Sequence, residues 1–273
     1  MSVVVLSGTE DAESPEPLLF LAAACSDGSV RLFLLLENSQ SLRLVAESFL
    51  HQRCVLKVQA FAYKTAGGRR GHIVASAATD GSVAFWDVSA TLDLVTQAVK
   101  AEGGERKVLD LGTWLLTIQA HSCGVNSLQV HKMAGGRFLV ASGSDDGSIS
   151  VSDIEVSDES IVDGEAPAKM GVRVLRTFSR PCAHAAHVTG VRLLRPDLLL
   201  SASVDQRLTL WRLSEEGLSF VCSKFCHVAD VAALECWEGE GPTYYSVICG
   251  QGLQVLRGTL ELQAQSGLPF LEC

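Results

Sequence analysis

The sequence of 273 residues lacks the features that mark membrane and secreted proteins. Its longest apolar runs, such as Leu18 to Cys25, are far shorter than the roughly 18 residues that a membrane-spanning helix needs. The N-terminal stretch has no basic region and meets acids at Glu10 and Asp11, unlike a signal peptide. The nine cysteines include no C-x-x-C pair, which is typical of reduced thiols in a cytosolic or nuclear protein. We therefore predict a soluble, cytoplasmic protein.

Positive charge is also scarce. Lys and Arg number 22 against 31 Asp and Glu, so the net charge of −9 has the wrong sign for a free-standing nucleic-acid binder. Prolines number only 7 and glycines 24, which favours many tight turns over low complexity. Because 47% of the residues are hydrophobic, we expect a folded, turn-rich chain rather than a disordered one.

One pattern recurs along the chain. It consists of an apolar run, a turn built on Asp-Gly or an equivalent, and an alternating strand that ends in a large residue six positions after the turn aspartate. The turn positions are Asp27, Asp80, Asp146, Asp205 and, in a degenerate copy, Gln251. Asp-Gly between alternating apolar runs is the strongest short-range signal for a β-hairpin. The pattern predicts repeated hairpins and contains no convincing helix.

A second element precedes four of these copies. It is a histidine followed four residues later by a valine. The pairs are His51 and Val55, His121 and Val125, His187 and Val191, and His227 and Val231. A short alternating stretch follows each pair and predicts another strand. The sequence therefore predicts an all-β array of multi-stranded units.

These units resemble WD40 repeats, the four-stranded blades of β-propellers with about 40 to 45 residues each. The resemblance implies WD40-type β-propeller blades over residues 1–273, with markers near 18–36, 51–88, 121–154, 187–213 and 227–258. The turn positions are 53, 66, 59 and 46 residues apart, which is longer than one repeat. We therefore expect solvated insertion loops at about 88–120 and 154–186.

Five blades are recognisable and a sixth fits the length. If Val3 to Leu6 is the first strand of the first blade, the chain starts inside a blade, which predicts an incomplete or irregular propeller and a fragment or short form of a longer protein. The alternative is a closed, irregular ring of five or six blades. In that case the tail from Leu260 to Phe270 supplies the last strand.

The resemblance also implies a buried hydrogen-bond network in each blade, formed by a histidine, a serine, the turn aspartate and a tryptophan. Two blades match it fully, with His51, Ser76, Asp80 and Trp86 in one and His187, Ser201, Asp205 and Trp211 in the other. A third keeps His121, Ser142 and Asp146 but has Ser152 in place of the tryptophan. Indole can only donate, a carboxylate only accepts, and hydroxyl and imidazole do both, so the four groups can satisfy one another.

Serine, histidine and aspartate could also form a hydrolase triad. Their recurrence at fixed offsets, without a strand-to-helix nucleophile elbow, favours the structural interpretation. Two loose groups could suggest a metal site: Cys182, His184 and His187, and Cys222, Cys226, His227 and Cys236. Zinc sites prefer tighter spacing such as C-x-x-C. We therefore expect no catalytic residue, no cofactor and no metal.

The segments SASVDQRLTLWRL (201–213) and ASGSDDGSISVSDIE (141–155) resemble the C-terminal region of one group of WD40 proteins. Members of that group are accessory partners of an FtsJ-like tRNA ribose 2′-O-methyltransferase that acts on the wobble nucleotide. The resemblance implies a non-catalytic scaffold that touches tRNA only as part of a complex, with no membrane and no small-molecule substrate. The alternative is a general protein-interaction scaffold, such as a kinase or ubiquitin-ligase adaptor, with no RNA role.

Two small basic spots are candidate contacts for RNA or a partner. The residues singled out are Arg69 and Arg70 in one spot and Lys169, Arg173 and Arg176 in the other. Each spot also fits an ordinary solvated loop, and the acidic balance requires the partner to supply most of the positive charge.

Overall fold

The computed structural model describes residues 2–7, 18–36, 40–65, 67–100, 107–159 and 169–259. Antiparallel strands dominate these residues and form five sheets that follow one another along the chain. This confirms the prediction of an all-β array of WD40-type blades, and we number the sheets blades 1 to 5. Within the described ranges, no helix is both long and apolar enough to cross a bilayer.

Blades 1 and 2 are built from the first 119 residues. Blade 1 contains β1 (Val3–Ser7), β2 (Leu19–Ala24), β3 (Val30–Leu36) and β4 (Ser41–Ser48). Blade 2 contains β5 (Val55–Lys64), β6 (Arg70–Ala78), β7 (Ser82–Asp87) and, after an insertion, β9 (Thr113–Gln119). The insertion holds helix α1 (Ser89–Lys100) and the short strand β8 (Leu109–Asp110). Strand β8 pairs in parallel with β4 and becomes the fifth strand of blade 1.

Blades 3 to 5 complete the described fold. Blade 3 contains β10 (Val125–Lys132), β11 (Arg137–Ser144), β12 (Ile149–Glu159) and β13 (Lys169–Arg180). Blade 4 contains β14 (Val188–Arg195), β15 (Leu198–Ser203), β16 (Arg207–Ser214) and β17 (Gly217–Phe225). Blade 5 has two strands among the described residues, β18 (Ala229–Glu238) and β19 (Thr243–Thr259).

The chain divides into two compact units, and each has its own apolar core. The first unit comprises residues 1–120, 134–137 and 155–173, and the second comprises the rest. In the first, Leu32, Trp86 and the helix residue Leu92 belong to one buried cluster. In the second, Leu199 and Trp211 belong to another. The alternating residues of the strands supply these cores, since successive side chains of a strand point to opposite faces of its sheet.

The two predicted insertion loops contain regular structure, so their description as loops needs correction. In 88–120, helix α1 buries Leu92 and Val95, and β9 is the fourth strand of blade 2. In 154–186, β13 is the fourth strand of blade 3. The sequence patterns did not predict β9 and β13 as strands. Each lies at the edge of its sheet and leaves much of both faces exposed, which weakens the alternation of apolar and polar residues. In α1, the β-branched residues Thr91, Val95 and Thr96 weaken the helical signal.

The fifth repeat also departs from its prediction. Strand β19 runs without interruption through Gln251, where a hairpin turn was expected. This copy lacks the Asp-Gly dipeptide that supplies positive φ at both turn positions. At the other end of the chain, Val3–Ser7 does form the first strand of blade 1. The tail 260–270, which the ring alternative uses as the last strand, lies outside the described residues.

Candidate functional site

The most complete polar cluster lies in blade 4. Its central hydroxyl, Ser201 Oγ on β15, accepts a hydrogen bond from the Trp211 indole Nε1 at 2.8 Å and lies 2.7 Å from His184 Nε2. The other ring nitrogen, His184 Nδ1, lies 3.1 Å from Asp205 Oδ2. Because an ionised carboxylate can only accept, Nδ1 carries the proton and Nε2 accepts the hydroxyl proton of Ser201. The donors thus run in one direction, from indole to hydroxyl to imidazole to carboxylate.

Blade 2 repeats the contacts among histidine, serine and aspartate, with one additional hydroxyl. His51 Nε2 lies 2.6 Å from Ser76 Oγ, and His51 Nδ1 lies 3.2 Å from Ser82 Oγ and 3.4 Å from Asp80 Oδ2. Ser82 in turn donates its hydroxyl to Asp80 Oδ1 at 2.5 Å. The Trp86 ring stands edge-on to the His51 ring, with the ring centroids 6.1 Å apart. The predicted members His51, Ser76, Asp80 and Trp86 are therefore brought together.

Blade 3 keeps the centre of the cluster and changes both ends. His121 Nε2 lies 2.8 Å from Ser142 Oγ, and His121 Nδ1 lies 2.7 Å from Ser148 Oγ. Asp146 is exposed and accepts a hydrogen bond from the Ser148 backbone N–H at 2.9 Å. At the tryptophan position, the Ser152 hydroxyl instead lies 2.9 Å from Thr177 Oγ1 on the neighbouring strand.

The structure corrects the histidine of blade 4. His187 is 60% exposed in its side chain and lies 3.5 Å from Asp145, outside the cluster, whereas His184 occupies the buried position. The sequence holds two overlapping frames, because a valine follows four residues after either histidine. Val188 pairs with Ser203 at the start of β14, as Val55 pairs with Ala78 and Val125 with Ser144, so the frame of His184 is the equivalent one.

Sequence reasoning also missed the serine that follows Asp-Gly. Ser29, Ser82 and Ser148 each cap the turn aspartate two residues before them, through the backbone N–H. The Asp-Gly-Ser tripeptide at all three turns was the signal that could have revealed them. In blade 4 the sequence at this turn is Asp205-Gln206-Arg207, and there the histidine contacts the aspartate without a bridging hydroxyl.

Burial sets the charge state of these clusters. It lowers the pKa of His51, His121 and His184 below the ordinary value of 6.5, although the nearby aspartates oppose the shift. The three rings are therefore neutral at neutral pH. For Asp80 and Asp146, partial loss of solvent around the carboxylate is the largest single influence and raises the pKa, but hydrogen bonds from Ser82 and Ser148 counter it, and the pKa of each lies below 3.8.

The connectivity from serine to histidine to aspartate matches that of a hydrolytic triad, but the burial does not match one. Ser76 and Ser201 have no exposed surface and Ser142 has 2%. A nucleophile must approach its substrate to within about 3 to 3.5 Å, which a fully covered hydroxyl cannot do. The clusters are suited to fixing the loop before each blade to the turn between its second and third strands.

The candidate basic contacts are largely paired with carboxylates. Arg173 bonds to Glu155 at 2.6 Å, Arg176 lies 3.3 Å from Asp153, and Arg69 lies 3.6 Å from Asp87. Arg70 is exposed, and the side chain of Lys169 lies outside the described residues. Three of the four arginines are therefore compensated by a carboxylate, and the exposed Arg70 is the fourth.

The described cysteines and histidines do not assemble a metal centre. Nowhere in the described ranges do three or more His, Cys, Asp or Glu side chains come together in a group able to hold a metal ion. In the first of the two loose groups, His184 is engaged with Ser201, while Cys182 is exposed. In the second, burial raises the pKa of the Cys236 thiol to about 12, which makes it a poor metal ligand.

Comparison with known proteins agrees with this architecture. The sequence profile of the family "WD domain, G-beta repeat" matches residues 112–153, which run from the fourth strand of blade 2 into the third strand of blade 3. The tRNA (34-2'-O)-methyltransferase regulator WDR6 of Mus musculus is 46% identical over 259 residues, covering 93% of this chain and 23% of the relative. The human regulator of the same name is 47% identical over 241 residues, covering 86% and 21%.

The chain thus spans less than a quarter of the length of these relatives. The similarity nevertheless extends over about nine tenths of this chain, far beyond the single repeat that the family profile matches. The recurring polar clusters and most blade residues lie within the part of the chain that is similar to these relatives. Residues 112–153 therefore match a WD40 repeat, and the described sheets have the four-stranded architecture of WD40-type blades.

Proposed function

We propose that this chain is a non-catalytic WD40 scaffold that supports 2′-O-methylation of tRNA nucleotide 34 by binding an FtsJ-like methyltransferase in the cytoplasm. The observation that carries the proposal is the identity of 46% over 259 residues with a protein named as a regulator of that reaction. Because the chain matches about a quarter of that relative or less, we assign it the scaffold role of a part and not the activity of the whole.

The polar clusters support a scaffold rather than an enzyme. Each buried histidine is held from both ring nitrogens, and the serines that contact them are covered. Satisfied buried networks of this kind rigidify a fold and specify one arrangement. Rigid blades hold loops and strand edges in fixed positions, and such positions suit the binding of a protein partner.

The charge distribution supports contact with tRNA through the partner. The chain carries a net charge of −9, and three of the candidate arginines are matched by carboxylates. Phosphate backbones are attracted by uncompensated Lys and Arg, so the chain alone has little to offer them. We therefore assign the main phosphate contacts to the methyltransferase.

The direct test is methylation of tRNA nucleotide 34 by the purified methyltransferase, with and without the folded chain. We expect the chain to increase the rate of product formation. The matched control is the Ser201→Ala chain, which is unfolded by heat before it is added to the assay. We expect this unfolded chain to leave tRNA methylation at the rate of the enzyme alone. If folded chain neither stimulates methylation nor binds the enzyme in a pull-down assay, the proposal is wrong and a general scaffold for other proteins replaces it.

A further inference from the structure

A groove of about 470 Å³ lies in the first unit, beside the insertion that follows β7. The chain segment after β4 forms one wall, and the segment from β8 to the start of β9 forms the other. Four of its side chains are large, apolar and exposed: Phe49 (60%), Trp114 (55%), Leu50 (43%) and Val108 (38%). Exposed apolar surface concentrated in one concave place marks a binding site, whereas single exposed residues do not.

The insertion builds this groove and holds it in shape. Residues Ala46 and Glu47 of β4 pair with Leu109 and Asp110 of β8, and the Leu111 N–H donates to the Glu47 carbonyl at 3.0 Å. The buried side chains of Leu111 and Trp86 lie beneath. The groove is therefore a preformed concave surface, and binding there needs little reorganisation.

Gly112 fixes the transition from β8 to β9. A Cβ at this position would collide with the backbone carbonyl of Asp87, so only glycine allows the two segments to approach so closely. Trp114 follows two residues later and directs its indole Nε1 to Thr117 Oγ1 at 3.1 Å. With its N–H engaged, the exposed ring surface of Trp114 offers apolar and cation–π contacts.

The charge of the groove is negative. Asp110 is exposed and forms no ion pair among the described residues, while Glu47 contacts Arg31 at 3.1 Å. Arg31 also contacts Asp27 at 2.7 Å, so one guanidinium is shared by two carboxylates. Among the described residues that line the groove, none is Lys or Arg. A phosphate backbone would be repelled here, and a basic side chain would be attracted.

We propose that this groove docks a segment of the methyltransferase in which a bulky apolar side chain lies next to a Lys or Arg. The apolar side chain packs between Phe49 and Trp114, and the basic group pairs with Asp110. The inference rests on the proposed function, because it takes the methyltransferase as the occupant. It adds the place on this chain where that partner binds and the chemistry that recognises it.

The experiment measures the Kd between the purified methyltransferase and the immobilised full chain by biolayer interferometry. Trp114→Ala should weaken binding about tenfold or more, since aromatic anchors dominate the binding energy of interfaces. Asp110→Lys should weaken it severalfold at low salt and less at high salt. The matched controls are Trp237→Ala, an exposed tryptophan in the second unit, and Asp93→Lys, an exposed acid on α1 that does not line the groove. Both controls should bind like the unaltered chain.

The outcomes separate the groove from the function. If the unaltered chain binds and the two groove variants bind equally well, the groove assignment is overturned and the proposed function stands. If the unaltered chain does not bind the enzyme, the proposed function and this occupant both fall. A second probe, fluorescently labelled tRNA, tests for RNA: weaker tRNA binding by Trp114→Ala chain without enzyme would make RNA the occupant and overturn the proposal. Asp110→Lys changes an exposed side chain, so it keeps the test valid should Trp114→Ala fail to fold.

Discussion

Blades 3 and 4 contain the same central pair of serine and histidine but differ at both ends of the cluster. In blade 4 the Trp211 indole donates to Ser201, whereas in blade 3 Ser152 stands at that position and bonds to Thr177 instead. At the other end, Asp205 contacts its histidine directly, while in blade 3 the Ser148 hydroxyl takes that place. The comparison shows that both clusters share the contact between serine and histidine. The further hydrogen-bond partners of these two residues differ from one blade to the other.

The difference also predicts unequal stability contributions. Ser201 connects two buried groups, the indole of Trp211 and the imidazole of His184. Ser142 connects to His121, with no indole at the other side. A buried polar group that loses its partner costs roughly 1 to 3 kcal/mol, so the blade 4 serine has more to lose.

The largest expected effect is therefore that of Ser201→Ala. It should lower the free energy of unfolding by about 3 kcal/mol, against about 1.5 kcal/mol for Ser142→Ala, because it leaves two buried groups without a partner instead of one. Urea denaturation measures the free energy of unfolding of each variant. Hydrogen exchange of the backbone amides of β11 and β15 reports on blade 3 and blade 4 separately. Equal losses in the two variants would show that the indole contributes nothing to the cluster.

Substitution of His184, the buried histidine of blade 4, should have the next largest effect on stability. His184→Gln should lower the free energy of unfolding by about 2 kcal/mol, since it disrupts contacts to Ser201 and Asp205 in a buried place. His187→Gln is the matched control and should change stability by less than about 0.5 kcal/mol, as exposed substitutions do. Thermal unfolding of the two variants side by side decides between the histidines, and the reverse order would restore His187 to the cluster.

The indole bond itself can be isolated with Trp211→Phe. This change removes the donor to Ser201 while keeping an aromatic ring against Phe220, which lies 6.0 Å away between ring centroids. We expect a loss of about 1 kcal/mol, the usual net contribution of a neutral hydrogen bond. Trp86→Phe in blade 2, where the indole ring stands edge-on to the His51 ring, serves as the comparison. An unchanged Tm for Trp211→Phe would argue against the bond.

We expect low pH to destabilise the folded chain less than these substitutions do. Burial lowers the pKa of His51, His121 and His184 in the folded chain, so the unfolded chain binds protons at a higher pH than the folded chain does. The stability that neutral histidines provide is therefore complete above about pH 6.5 and decreases as the pH falls below it. We expect a lower Tm at pH 5.5 than at pH 7.5. His121→Gln should reduce this slope, and an identical slope would show that His121 does not titrate differently on unfolding.

Local patterns in the sequence predicted the turns and most cluster members, because turn chemistry and period-2 alternation act over a few residues. The cluster members were predicted through the resemblance to WD40 repeats, which implies their spacing from Asp80, Asp146 and Asp205. His184 was missed because two overlapping frames fit the same spacing and only the strand register separates them. The bridging roles of Ser82 and Ser148 depend on how the loop folds back, which spacing does not encode.

The insertion after blade 2 shows what local reasoning could not predict. The pairing of Leu109 with Ala46 joins residues that are 63 positions apart. Such a parallel pairing depends on the tertiary fold and leaves a signal of only two residues in the sequence. The groove between Phe49 and Trp114 has the same origin, since its two walls meet only after both blades have formed.

The central claim is that the clusters of histidine, serine and aspartate hold the blades together and do not catalyse a reaction. Labelling of the folded chain with a fluorophosphonate probe, followed by mass spectrometry, tests this claim most directly. The account predicts no modification at Ser76, Ser142 or Ser201, because all three hydroxyls are covered. Stoichiometric modification of any of these serines in chain that remains folded would contradict it.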